Sequence, residues 1–167
     1  MMAAILSVSA IYNTAFAQES DLAVDRQFHP RTFLGGVGAV VGEDSEGKHS
    51  YFRMGIIPVT DSETEYEVKR GAFMVGKHDN RERYSVIADS WQISVSVDKS
   101  SFDASGKAEN NEGEIYDISI SGDKISDLEN GVLYYVTGTA TGDDGEIHDV
   151  FYISALKERT PSIPTTS

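Results

Sequence analysis

A turn recurs about every 33 residues along this chain of 167, at Gly47, Asn80, Gly113 and Gly145. Each turn is polar, acidic or glycine-bearing, and each separates two segments in which apolar and polar residues alternate. Alternation with period two marks a strand with one buried face. Two such strands around a tight polar turn make a β-hairpin. Four in series predict an all-β fold of about eight antiparallel strands. Such hairpins close most simply as a small up-and-down barrel or split into a two-sheet sandwich, and the sequence leaves both open.

The first hairpin runs through Phe33, Leu34, Val37, Val40 and Val41, turns over residues 42–48, and returns through Tyr51, Met54, Ile56 and Ile57. Pro58 ends the return strand because it has no N–H for a ladder. The second rises through Tyr66, Val68, Ala72, Met74 and Val75, turns at residues 76–80, and returns through Tyr84, Val86 and Ala88. The clearest alternation follows, with Trp91, Ile93, Val95 and Val97 against Gln92, Ser94 and Ser96, entered through a bend at Asp89-Ser90. The third and fourth hairpins resemble each other. Gly106 to Ile120 aligns with Gly138 to Tyr152 at an offset of 32, with identities that include Gly113/Gly145, Glu114/Glu146 and Asp117/Asp149. Between them, Lys124 to Asn130 reads as a short helical turn closed by Gly131.

The ends differ from the middle. Residues 1–17 carry no charge, are apolar around Ala3 to Ile11, and close on Ala15-Phe16-Ala17, the small-residue pattern that signal peptidase accepts. This predicts export with cleavage after Ala17, and so an extracellular or cell-envelope location. No Lys or Arg precedes the apolar stretch. Residues 18–31 read as an extended lead-in, 32–157 as the β domain, and 158–167 as a disordered Pro/Thr/Ser tail.

The chain has no cysteine, which excludes thiolate catalysis, cysteine-ligated zinc and iron–sulfur clusters, and leaves the fold to its core rather than to disulfides. Its net charge is −13. Nucleic acid and anionic membrane surfaces, which require a basic patch, are disfavoured as partners.

Four surfaces merit a test for chemistry. Glu114, Asp117, Glu146 and Asp149 recur at matching hairpin positions and offer hard oxygen ligands to calcium, although no EF-hand spacing is present. The default reading is a solvated acidic turn. Small residues on one face of two strands, Ala104, Gly106, Ala108, Gly138 and Ala140, leave interior room, filled by aromatic side chains or by an apolar ligand. Trp91, Tyr134 and Tyr152 are the expected contacts of such a ligand. His29, His49, His78 and His148 lack metal-ligand spacing, and three of them would meet only if their turns shared one barrel end. The final strand, residues 147–156, is apolar on both sides: Ile147, Phe151 and Ile153 alternate with Val150, Tyr152 and Leu156. Either the fold covers both faces, or one docks a protein partner or a second copy.

No Gly-x-Ser-x-Gly elbow and no His-Glu-x-x-His motif occurs. The sequence therefore favours a non-enzymatic binding or structural module with a small apolar ligand inside a barrel and no cofactor. A calcium-stabilised module and a small carbohydrate- or peptide-acting hydrolase are the alternatives.

Overall fold

Period-two alternation becomes a single inward face. In β1 (Arg31–Val41) and β2 (Lys48–Pro58), Leu34, Val40, Phe52, Met54 and Ile56 are buried while Val37 and Tyr51 between them are exposed. The same holds in β3 (Glu65–Lys77), β5 (Gln92–Val95), β6 (Ser101–Glu109), β7 (Ile115–Leu128), β8 (Gly131–Gly142) and β9 (Ile147–Arg159), while β4 (Asn80–Val86) turns only the partly buried Tyr84 and Val86 inward. A computed structural model describes residues 31–42, 47–77 and 80–159. The expected signal, most of the lead-in and the tail beyond Arg159 lie outside the described residues.

All pairings are antiparallel, and the sheet closes on itself. β1 pairs with β2 on one side and with β9 on the other, β2 continues to β3, and β6, β7, β8 and β9 follow in order. β4 and β5 share one position in the wall: both pair with β3 and both with β6. A 3-10 turn at Ala88–Ser90 joins them, at the bend expected from Asp89-Ser90. The result is an eight-position barrel, not a sandwich.

Two bulges set the phase of the wall. Between β2 and β3 the register shifts at Gly55/Ile56, so Tyr66 and Val68 face inward on one side of the bulge and Phe73 on the other. In β7 a shift between Lys124 and Ser126 leaves Ile125 exposed. β7 runs on through this bulge to Leu128, and a two-residue turn at Glu129-Asn130 leads into β8. The helical turn expected over Lys124 to Asn130 is therefore a fifth hairpin. β9 likewise extends to Arg159, where Lys157, Glu158 and Arg159 pair with Phe33, Thr32 and Arg31, so the domain passes its expected end at 157.

Large rings fill the interior where the wall is small. Gly106 lies under Trp91, and a Cβ there would sit 2.5 Å from the indole. Phe52 stacks on Phe73 at 5.2 Å, Phe73 on Trp91 at 5.9 Å, and Tyr152 meets Phe52 edge-on at 5.0 Å. These four rings form a layer across the barrel.

The third and fourth of the expected turns share one hydrogen-bond pattern. Gly113 N–H donates to the Asn110 carbonyl at 3.3 Å and Asn110 N–H to the Glu114 carbonyl at 3.0 Å. Gly145 N–H donates to Gly142 and Gly142 N–H to Glu146, both at 2.9 Å. Gly113 and Gly145 have φ of 86° and 84°, the left-handed region that suits glycine. A Cβ at Gly145 would meet nothing within 4 Å, and one at Gly113 only the Glu109 carboxylate at 3.9 Å. A side chain there would meet backbone strain rather than crowding. Gly113→Val and Gly145→Val should each destabilise the fold by on the order of 1 kcal/mol or more, read from urea midpoints. Equal midpoints for both variants and the parent would show that these turns do not need glycine.

Candidate functional site

The turns that follow β1, β3, β6 and β8 lie at one end of the barrel, because each strand that leaves them runs back beside the one that entered. Inward-facing residues near these turns therefore converge on a common mouth. Val40, Val75, Ile118, Ala140 and Val150 contribute an apolar wall, and Phe73 and Tyr152 of the aromatic layer form its floor. Tyr84, Tyr116, His148 and Lys48 stand around it. Together they bound a small cavity of about 70 Å³ that opens at the mouth.

The polar groups of this cavity sit at its edges. Tyr152 Oη and Ser50 Oγ are 2.9 Å apart and hydrogen-bonded, which satisfies the hydroxyl at the floor. Tyr84 Oη donates to Glu82 Oε2 at 2.7 Å, and its ring meets Tyr116 edge-on at 5.2 Å. Tyr116 in turn faces the His148 ring at 6.1 Å. Glu146 Oε1 lies 3.6 Å from His148 Nε2. Asn110 secures the rim from below: its Nδ2 donates to Glu82 Oε1 at 2.7 Å and to Glu114 Oε2 at 2.8 Å, while its Oδ1 accepts the Glu112 and Glu114 N–H groups at 2.9 Å. A buried amide with every such partner filled fixes the β6–β7 turn relative to β4.

Of the three expected ligand contacts, only Tyr152 lines this cavity. Trp91 belongs to the packed layer, with its Nε1–H donating to the Lys107 carbonyl at 2.8 Å. Tyr134 is fully buried toward the opposite end, where its hydroxyl donates to the Lys99 carbonyl at 3.1 Å and its ring meets Phe102 edge-on. Among the small residues singled out in sequence, Ala140 faces the cavity, while Gly106 makes room for Trp91. Tyr84 and Tyr116 were missed, and His148 was singled out only among the histidines, not as a cavity residue. Their signal was there, as inward positions within a few residues of turns, but it points to a site only once those turns are known to share one end.

The acidic positions are dispersed. Asp117 on β7 and Asp149 on β9 stand on either side of β8, opposite Thr141 and Thr139. Asp117 takes an ion pair from Lys107 at 3.3 Å, Glu114 holds Asn110, and Glu146 lies beside His148. Among the described residues, no group of three or more His, Asp or Glu side chains stands where it could hold a metal ion. His49 lies at the same end on the outer wall, and His29 and His78 fall outside the described residues.

Burial raises the phenols of Tyr116 and Tyr152 above the ordinary tyrosine value. Tyr84 is raised further, by burial first and then by its hydrogen bond to the Glu82 carboxylate. Tyr134 is pushed up to about 12, chiefly by burial. A folded value above the unfolded one means that the folded state holds the proton more tightly. Its stabilising contribution is whole below about pH 10 and is lost as pH rises through the folded values. Thermal stability should therefore fall from about pH 10 upward, and phenolate absorbance from these tyrosines should appear together with unfolding. Ionisation of all of them near pH 10 with the fold intact would contradict the buried placement.

No family model matches the chain, and no curated protein matches it. Among solved structures, the fold is similar to that of DynF from the dynemicin biosynthesis pathway of Micromonospora chersina, at 9% identity over 81% of each chain, with a TM-score of 0.46. It is also similar to a de novo designed fluorescence-activating β-barrel, at 14% identity over 78% of this chain and 94% of that one, with a TM-score of 0.34. Neither likeness carries a ligand or an activity over to this chain.

Proposed function

We propose that this protein binds a small, largely apolar molecule in the barrel mouth above the Phe73–Tyr152 floor. One observation carries the reading: the interior is packed with rings in its middle and left open at one end. The open part has an apolar wall, with polar groups confined to its rim and floor. That is the composition of a small-molecule site, where apolar surface supplies affinity and a few fixed polar groups orient the ligand. Tyr84, Tyr116 and Tyr152 remain neutral phenols across the physiological range, so they offer hydrogen bonds and ring faces rather than charge. Lys48 supplies the cation at the edge and suits a ligand with an acidic or acceptor group pointing outward.

The test uses the dye 1-anilinonaphthalene-8-sulfonate on the folded protein. Trp91, the only tryptophan, stacks on Phe73 of the cavity floor, so dye in the mouth should quench its emission by energy transfer. Ala140→Phe should fill the cavity and abolish that transfer while the melting temperature is kept or raised. Transfer undiminished in Ala140→Phe, or seen only where near-ultraviolet dichroism has been lost, would overturn the reading.

The same reading takes the protein to be exported, and so to meet its ligand outside the cell or in the envelope. The uncharged apolar stretch before Gln18 supports this. Mature protein recovered from its producing cell should begin at Gln18. A mature chain that begins at Met1 would remove the export part and leave the cavity reading untouched.

A further inference from the structure

The outer wall of the barrel is not uniform. Tyr51 on β2 stands opposite Val37 on β1, Val37 opposite Ile153 on β9, and Ile153 opposite Tyr135 on β8. These four side chains form one row across four strands, and all are exposed, Val37 at 71%. Phe151 extends the row along β9, beside Ala39 and Thr137. With strands about 4.8 Å apart and a rise of about 3.3 Å per residue, the strip measures roughly 14 Å across by 20 Å along β1. No carboxylate faces outward on β9 between Asp149 and Lys157. On a chain of net charge −13, this strip is where the acidic residues stop.

We propose that this strip seats a second copy of the chain, related by a two-fold axis through Ile153. The charges at its ends argue for that occupant. Asp149 lies four residues before Ile153 and Lys157 four residues after it, both exposed and both on the outer face. A two-fold rotation about Ile153 turns the strip end for end. It lays Lys157 of one copy over Asp149 of the other, twice, while Val37, Ile153 and Tyr135 meet their equivalents and Phe151 of each copy meets Ala155 of the other. Such an isologous contact needs only one self-complementary patch. It also brings two acidic molecules together where their like charges are sparsest. The strip has the size of the apolar centre of a standard interface, and the charged ends supply its polar rim. The proposal does not depend on the cavity, since the strip faces the opposite side of the wall.

Sedimentation velocity on the full chain tests it, from about 1 to about 100 µM at physiological salt. The expected result is a monomer–dimer equilibrium. Val37→Arg and Ile153→Arg should each raise the dimer dissociation constant by roughly tenfold or more, with far-ultraviolet dichroism unchanged because both positions point outward. Asp149→Lys alone should weaken the dimer, and Asp149→Lys combined with Lys157→Asp should restore it. A monomer at every concentration would overturn the proposal, as would a dimer indifferent to Val37→Arg. A dimer that the double charge reversal fails to rescue would overturn the end-for-end seating.

Discussion

The structure depends on the pairing of its first strand with its last. β1 and β9 run beside each other from Arg31/Arg159 to Val41/Asp149 without a break in register. Every other wall contact joins strands closer in the chain. Without this one the molecule is a curled sheet with two long apolar edges, a template for aggregation. With it, the sheet closes on itself, and the inward residues of its strands are forced to a common axis. Gly36 and Gly38 in β1 belong to this seam: a Cβ on Gly36 would come within 2.8 Å of the Ile153 carbonyl, so larger residues would push the seam apart. The pairing also closes the largest loop in the chain, which makes it costly to form and late to be rewarded.

Closure decides where the rings go, and the rings decide where the cavity is. A barrel of eight positions has an interior that side chains can just fill. Phe52, Phe73, Trp91 and Tyr152 fill its middle in a stacked layer, and Phe102 with Tyr134 fills the end near Lys99. At the other end the inward residues are Val40, Val75, Ile118, Ala140 and Val150, which are too small to meet across the axis. The space they leave follows from side-chain volume, not from any special loop. Tyr84, Tyr116 and His148 lean over it, positioned by Glu82, Asn110 and Glu146 on the rim.

The local parts of this arrangement were legible in the sequence, and the non-local parts were not. Alternation and turn chemistry give the four hairpins, the bend before Trp91 and the positive φ at Gly113 and Gly145, because these are decided within a few residues. The stretch from Lys124 to Asn130 misled because a bulge at Ile125 breaks its alternation, and a broken period reads as helix or loop. The cavity residues were hidden for another reason. Tyr134 and Tyr152 occupy equivalent inward positions, and only the barrel's two ends distinguish them. One hydroxyl reaches the Lys99 carbonyl at the filled end, and the other faces Ser50 beneath the open one. That distinction requires knowing which turns share an end, which is a property of the closed sheet.

Net charge misleads in the same way if it is read as a property of the whole surface. Exposed acidic side chains line the outer face of β3 to β7, among them Glu65, Glu67, Asp103, Asp117, Asp123 and Asp127. Across β1, β9 and the adjoining half of β8 the outer face is instead built from Val37, Ala39, Phe151, Ile153 and Tyr135. A strand that lines an apolar interior is expected to alternate with polar residues when its other side is wet. β9 does so only at its ends, at Asp149 and Lys157. The solubility supplied by the acidic half of the barrel is what allows the other half to stay apolar without indiscriminate association. The carboxylates of β3 to β7 lie away from the strip, so they add little repulsion to a contact made through it and much to a contact made over their own face.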